Sequence, residues 1–285
     1  MLQVLLFIII FLIGLAVGSF LNALIYRLSK DESVLSSKNS KLFGFARSYC
    51  PKCKHKLRWY DLIPVLSFIV LKGKCRYCHQ KISWQYPLVE LTTGILFLSI
   101  FNEFLICNQF SILNFQNWIT TFYLFLISCF LIVIFVYDLK YYIIPDKIIF
   151  LAIGSSFLYR LFTVLKFSHW DLIENWKLGI GNFLAAAFGV ALFFLVIILI
   201  SKGRWMGFGD VKLGFFMGLF LGFPNILVAL FLGFLLGAII GIGLIILGKK
   251  TLKSEVPFGP FLVTGTFIAI FWGQKLINWY LNLVI

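Results

Sequence analysis

GFGDVKLGFF, residues 207–216, puts an aspartate, Asp210, at the start of a segment that is otherwise apolar. A carboxylate next to lipid is expensive, so it has either a partner or a task. Gly214, Gly218 and Gly222 follow it at steps of four, and in a helix those positions share one stripe. Small residues at that spacing mark a close helix–helix contact, which turns Asp210 towards protein rather than lipid. Gly233, Gly237 and Gly241 repeat the spacing in the next apolar run.

The rest of the chain supports a helical membrane protein. Of 285 residues, 61% are hydrophobic and 13% charged, and the mean hydropathy is +0.99, far from a soluble domain. A helical crossing needs roughly 20 apolar residues. Eight runs qualify: Leu2–Tyr26, Tyr86–Asn102, Ile119–Tyr137, Ile148–Phe167, Leu178–Ser201, Phe208–Phe223, Ile226–Leu247 and Phe258–Leu281. The first is too long for a signal core and carries its positive charge after the run, so it reads as a permanent span. The predicted fold is all-α and polytopic, with about eight transmembrane helices. Residues 1–26 form the first helix, 27–85 a polar loop module, and 86–285 a seven-helix core.

The net charge of +14 could suggest nucleic acid, but its placement argues against that. Of 25 Lys and Arg residues, 21 fall on one set of loops: Arg27–Lys81, Lys140 and Lys147, Lys202–Lys212, and Lys249–Lys253. Arg160, Lys166, Lys177 and Lys275 remain for the other side. The positive-inside asymmetry assigns the basic loops to the cytoplasm and both termini to the outside, as an even number of spans requires.

The polar loop carries CPKC (Cys50, Cys53) and CRYC (Cys75, Cys78). Two such knuckles bring four thiolates to one point, the arrangement of a tetrahedral Zn²⁺ site. A reducing cytosol disfavours the alternative, two disulfides. Four sulfurs leave no open position, so the metal is structural and folds a loop too small for its own core. His55 and His79 read as bystanders, and Cys107 and Cys129 as small buried hydrophobes.

With 11 acids in the chain, each can be weighed. Asp138 ends the third span and Asp210 opens the sixth, so both lie at the cytoplasmic face and meet if those helices are neighbours. Paired carboxylates share a proton, one ionised and one neutral, and together can activate water and protonate a carbonyl oxygen. Simpler assignments are an Asp138–Lys140 pair, and a helix cap or Lys212 pair for Asp210. Intramembrane acids also serve proton relays. Asp146, after Pro145, reads as a helix N-cap. Glu90 lies about one turn into the second span and reads as structural.

Taken together, the ordered motifs resemble the bacterial prepilin peptidases, GxGD-type aspartic peptidases that also act as N-methyltransferases. GSFLNALIYRL from Gly18, the two CxxC knuckles, LIPVLSF, YPLVELTTG, YDLKYYIIPDKI, GFGD and PFGPFL from Pro257 resemble that family from end to end. The resemblance implies Asp138 and Asp210 as the catalytic pair. It also implies type IV prepilins or pseudopilins as substrates, and cleavage of a short basic cytoplasmic leader ahead of an apolar helix. The new N-terminus is then methylated from S-adenosylmethionine. The implied setting is the bacterial inner membrane, in a type IV pilus or type II secretion system, with lipid and no nucleic acid as partner. No glycine-rich nucleotide fingerprint locates the methyl donor; Glu90 and Arg27 are guesses for that site. Asp61 and Glu255 are conjectured to attract the basic leader. Competing readings are a peptidase without methylation and a proton-coupled transporter, though no matched internal repeat supports the latter.

Overall fold

The computed structural model describes residues 2–30, 48–103, 115–167, 180–204, 206–248 and 256–284. The predicted runs are helices. They are α1 (Leu2–Leu28), α3 (Gln85–Phe101), α4 (Phe115–Tyr141), α5 (Asp146–Phe167), α6 (Ile180–Ser201), α7 (Phe208–Leu221), α8 (Asn225–Ile246) and α9 (Gly259–Val284). A short helix, α2 (Leu66–Val70), and a 3₁₀ turn, Trp59–Leu62, lie in the polar loop. Among the described residues there is no strand, only two isolated bridges, so the all-α expectation holds. By length and composition α1, α4, α6, α8 and α9 can each cross a membrane. α3 has 17 residues and α7 has 14.

The chain divides into two compact units, Met1–Val133 and Ile134–Ile285, with the boundary inside α4. In the first, α1 and α3 run antiparallel in close contact. A Cβ on Gly14 would sit 2.7 Å from Gly94 Cα, and one on Gly18 would sit 2.7 Å from Glu90 Cα. Asn22 Nδ2 donates to the Tyr86 carbonyl at 3.0 Å. Small residues here let two backbones approach, the usual source of association where lipid offers no hydrophobic drive. Ile10, Phe97 and Phe101 form the buried centre, and Phe97 stacks on Phe125 of α4 at 4.2 Å.

In the second unit, α7 is the central helix and its glycine stripe is the reason. A Cβ on Gly218 would lie 2.5 Å from Ala187 Cα, and one on Gly214 would lie 2.5 Å from the Phe194 ring. The stripe is therefore the seat of α6. Gly233 and Gly237 in turn receive Leu262 and Phe261 of α9. Gly241 departs from the expected pattern, with open space around it. At the far end of α7, the Arg160 guanidinium lies 3.5 Å from the Phe183 ring centroid and donates to the Phe220 carbonyl. Asn182 exchanges two hydrogen bonds with the Phe223 backbone. A cation and an amide thus complete the carbonyls and N–H that the end of α7 leaves open.

Candidate active site and metal centre

Asp138 is three residues from the end of α4 and 5% exposed. Asp210 is the third residue of α7. The two interact electrostatically, so helices remote in sequence bring them to one place, within the second unit. Each is oriented by a backbone donor. Gly259 N–H donates to the Asp138 carboxylate, and Gly207 N–H donates to Asp210 Oδ2 at 3.3 Å. Of the alternatives raised for these residues, the lysine pairs do not occur, whereas the Gly207 bond makes Asp210 the N3 partner of a capping box at the start of α7. Lys140 lies over the Tyr141 ring. Lys212 Nζ pairs with Asp146 Oδ1 at 2.6 Å rather than with Asp210.

Local sequence explains the placement. Gly209 is constrained by space, because a Cβ there would meet Ile144 Cβ at 3.2 Å. Ile144 belongs to the turn that follows Asp138, so this contact brings the start of α7 against that turn. Gly207 has no such neighbour and adopts an extended backbone. PFGPFL acts through its aromatics. Phe258 packs on Phe234 at 4.9 Å and faces Phe194 and Phe261. That anchoring delivers Gly259 beneath Asp138, where a Cβ would be 2.5 Å from Oδ2. Sequence reasoning quoted this segment but assigned Gly259 no role. The clue available was a glycine at the first turn of an apolar helix.

Asp146 is placed differently from its expected role. Pro145 holds the cap position, its carbonyl accepting from the Ile148 and Ile149 N–H groups. Asp146 is the first helical residue, 62% exposed.

The candidate metal centre lies in the first unit. The Sγ atoms of Cys50, Cys53, Cys75 and Cys78 all fall within 4.8 Å of one another, and Cys50 and Cys78 are 4.0 Å apart. A tetrahedral Zn–S shell at about 2.3 Å asks for sulfurs about 3.8 Å apart, so the donor set fits a metal. All four are free thiols. The knuckles are built alike. Lys54 N–H bonds Cys50 O and Cys50 N–H bonds His55 O, while His79 N–H bonds Cys75 O and Cys75 N–H bonds Gln80 O. Lys54 and His79 hold matching left-handed conformations, at φ 56° and 55°.

Burial opposes ionisation of the Cys50 thiol. The Cys53 and Lys52 N–H groups and the neighbouring thiols outweigh it and bring the group down to about 7. Gln80 N–H favours the Cys78 thiolate, but burial and the three other sulfurs push it up to about 11. His55 stacks on Tyr77 at 3.7 Å, a bracing role outside the cluster. Cys129 is a half-buried residue of α4, and Cys107 lies outside the described residues.

Asp61 does not serve as a free acid for a basic leader. It accepts from Arg76 Nε at 2.9 Å, Tyr77 OH at 3.0 Å and Arg58 N–H at 3.2 Å, and so ties the second knuckle to the 3₁₀ turn. Glu255 lies outside the described residues. Glu90, 7% exposed, accepts from the Val65 N–H at 2.7 Å and from Ser19. It fastens α2 to the α1–α3 pair.

Residues 124–242 match the family described as the Type IV leader peptidase family, and residues 12–104 match the Bacterial Peptidase A24 N-terminal domain. The relative named prepilin leader peptidase/N-methyltransferase in Aeromonas salmonicida is 31% identical over 98% of this chain and 95% of its own. The chain belongs to the type IV leader peptidase family. Relatives of the same name in Legionella pneumophila and Bacillus subtilis are each 30% identical, over 97% of this chain and 94% and 98% of theirs. No solved structure matches the chain. The family's peptidase match contains both Asp138 and Asp210, and its N-terminal match contains all four knuckle cysteines.

Proposed function

We propose that this chain is a bifunctional enzyme of the inner membrane that cleaves the leader of type IV prepilins or pseudopilins and methylates the N-terminus it exposes. The observation carrying the peptidase half is the pairing of Asp138 with Asp210, each oriented by a glycine N–H. The methyltransferase half rests on the names of relatives aligned over nearly the whole chain.

With one proton between them, the two carboxylates run general acid–base hydrolysis. The ionised carboxylate takes a proton from water while the water oxygen attacks the scissile carbonyl carbon. The neutral carboxyl gives its proton to the carbonyl oxygen. Collapse of the gem-diol breaks the C–N bond, the departing nitrogen takes a proton, and the leader leaves with a new carboxyl group. No covalent enzyme intermediate forms. The freed amine is the nucleophile for methylation, and S-adenosylmethionine, when bound, supplies the methyl group from its sulfonium. Cys50, Cys53, Cys75 and Cys78 would hold a structural Zn²⁺ as four thiolates, stabilising residues 27–85 as a module. The eight main helices, five of them long and apolar enough to cross by themselves, are read as eight crossings, with the aspartates and the cysteine module on the cytoplasmic side, where a basic leader lies before export. Pili, type II secretion and DNA uptake all use such substrates.

Mass spectrometry of a prepilin from the same genome, co-expressed with this protein, tests the assignment. Loss of the leader with one added methyl group is expected, and both changes should be absent with Asp210→Asn or Asp138→Asn. Leader loss without the methyl group would remove the second activity. An intact prepilin beside a folded wild-type enzyme would overturn the peptidase.

A further inference from the structure

The short helix α2 has a face that nothing in its own module covers. Leu66, Ile69 and Val70 are 60%, 62% and 71% exposed, and their i, i+3, i+4 spacing puts them on one stripe. Ile63 precedes them, and Trp59 and Trp84 flank the helix in sequence, both largely exposed. Phe68, on the other side of α2, turns inward onto the Trp84 ring at 5.0 Å. The helix is therefore amphipathic with respect to its own module, its inner face used and its outer face apolar. A contiguous apolar stripe of this kind marks an interaction surface.

Its depth identifies the partner. The Val65 N–H, at the start of α2, is bonded to Glu90, six residues along α3 from Trp84. At 1.5 Å per residue that is about 9 Å into the apolar helix. Gly18 packs at the same level of α1, against Glu90 Cα. α2 is thus pinned beside the first turns of a membrane helix pair, not above them. On the α3 side the exposed apolar surface continues through Leu88, Leu91 and Ile95.

Charge points the same way. Residues 48–85 carry eight lysines and arginines, all exposed, against one acid, Asp61, whose charge is already matched by Arg76. A strongly basic module that carries an exposed apolar stripe and two exposed tryptophans suits a surface of anionic lipid headgroups over acyl chains. From these observations we infer that α2 is an interfacial anchor, which seats the cysteine module on an anionic bilayer by burying Leu66, Ile69 and Val70 at the headgroup–acyl boundary. The inference rests on reading α1 and α3 as membrane helices, and not on the peptidase or methyltransferase assignment.

The test uses the full chain in nanodiscs, with phosphatidylglycerol present and with lipids either plain or brominated near the top of the acyl chain. Emission from Trp59 and Trp84 is isolated as the difference between wild type and Trp59→Phe or Trp84→Phe. The Trp59 and Trp84 signals should fall about twofold in brominated lipid, because an interfacial element lies ~5–10 Å into the boundary region. Ile69→Glu with Val70→Glu should remove most of that quenching while four-thiol metal content stays at the wild-type level, which shows the module still folded. Signals that emit as water-exposed tryptophan, or that are blue-shifted yet unquenched, overturn the inference. The second pattern would mean that the tryptophans are buried within the chain itself and not in lipid. Quenching unchanged in the double glutamate variant with metal retained would also overturn it.

Discussion

Gly259 lies directly against the Asp138 carboxylate, donating its N–H and leaving no room for a side chain, because a Cβ would stand 2.5 Å from Oδ2. The proposed acid–base role needs this carboxylate held in one place, and the Gly259 backbone does that. Gly259→Ala would push the carboxylate aside, and a movement of order 1 Å costs about a hundredfold in turnover. The expected result is a folded enzyme with kcat down by that order and substrate affinity little changed. Gly207→Ala, where no atom is close, should keep most activity. Steady-state cleavage of a prepilin substrate reads both.

The α6–α7 contact yields a stability prediction. A Cβ on Gly218 would penetrate the Ala186–Ala187 backbone at 2.5–2.6 Å, which cannot rotate away. Gly218→Val should destabilise by about 1–3 kcal/mol through overpacking, or prevent assembly. Gly241→Ala, with open space around it, should stay within about 0.5 kcal/mol of wild type. Thermal inactivation in detergent separates them.

Removing one knuckle ligand should release the metal. Cys50→Ser leaves three thiolates, and bound zinc should fall well below one per chain, measured by elemental mass spectrometry. A purified wild type that is folded, active and free of zinc would defeat the metal assignment.

The pH behaviour of the module follows from Asp61. Burial works against its charge, but donors from Arg58, Arg76 and Tyr77 outweigh that and hold the carboxyl below its usual range. A depressed native value means stability that is complete above the unfolded value, about 3.9, and lost as pH falls through the native one. In the metal-free protein the module should therefore unfold more readily below about pH 4 in the wild type, a pH dependence that Asp61→Asn should lose. Asp61→Asn should speed zinc extraction already at pH 7, because it weakens charge-assisted bonds worth about 1.5–3 kcal/mol each when buried and less here, where Arg76 is 45% exposed.

Asp146→Asn should leave cleavage largely intact. Its pair with Lys212 joins an exposed aspartate to a half-buried lysine near the surface, and such pairs contribute about 0–1 kcal/mol. A dead Asp146→Asn enzyme beside a live Asp138→Asn enzyme would reverse the assignment of the first carboxylate.

Apolar run length and composition were enough to place the eight main helices, because a long apolar run has one economical structure in lipid, although α3 and α7, at 17 and 14 residues, are shorter than a full crossing. Four cysteines in two knuckles were legible for a similar reason: the spacing itself curls each pair. The glycine stripe of α7 foretold a close contact, though not that α6 fills it. Gly241, identical in spacing, meets nothing, since a small residue permits an approach without requiring one.

The local pattern of the chain therefore specified which segments are helical, where each acid stands along its helix, and which sulfurs can meet. Tertiary packing alone decided what those groups face. It gave Lys212 to Asp146, Gly259 to Asp138 and Glu90 to the Val65 amide. Each of these contacts joins residues at least 25 positions apart. A helix fixes its own hydrogen bonds within four residues, so contacts at that range depend on how whole helices pack.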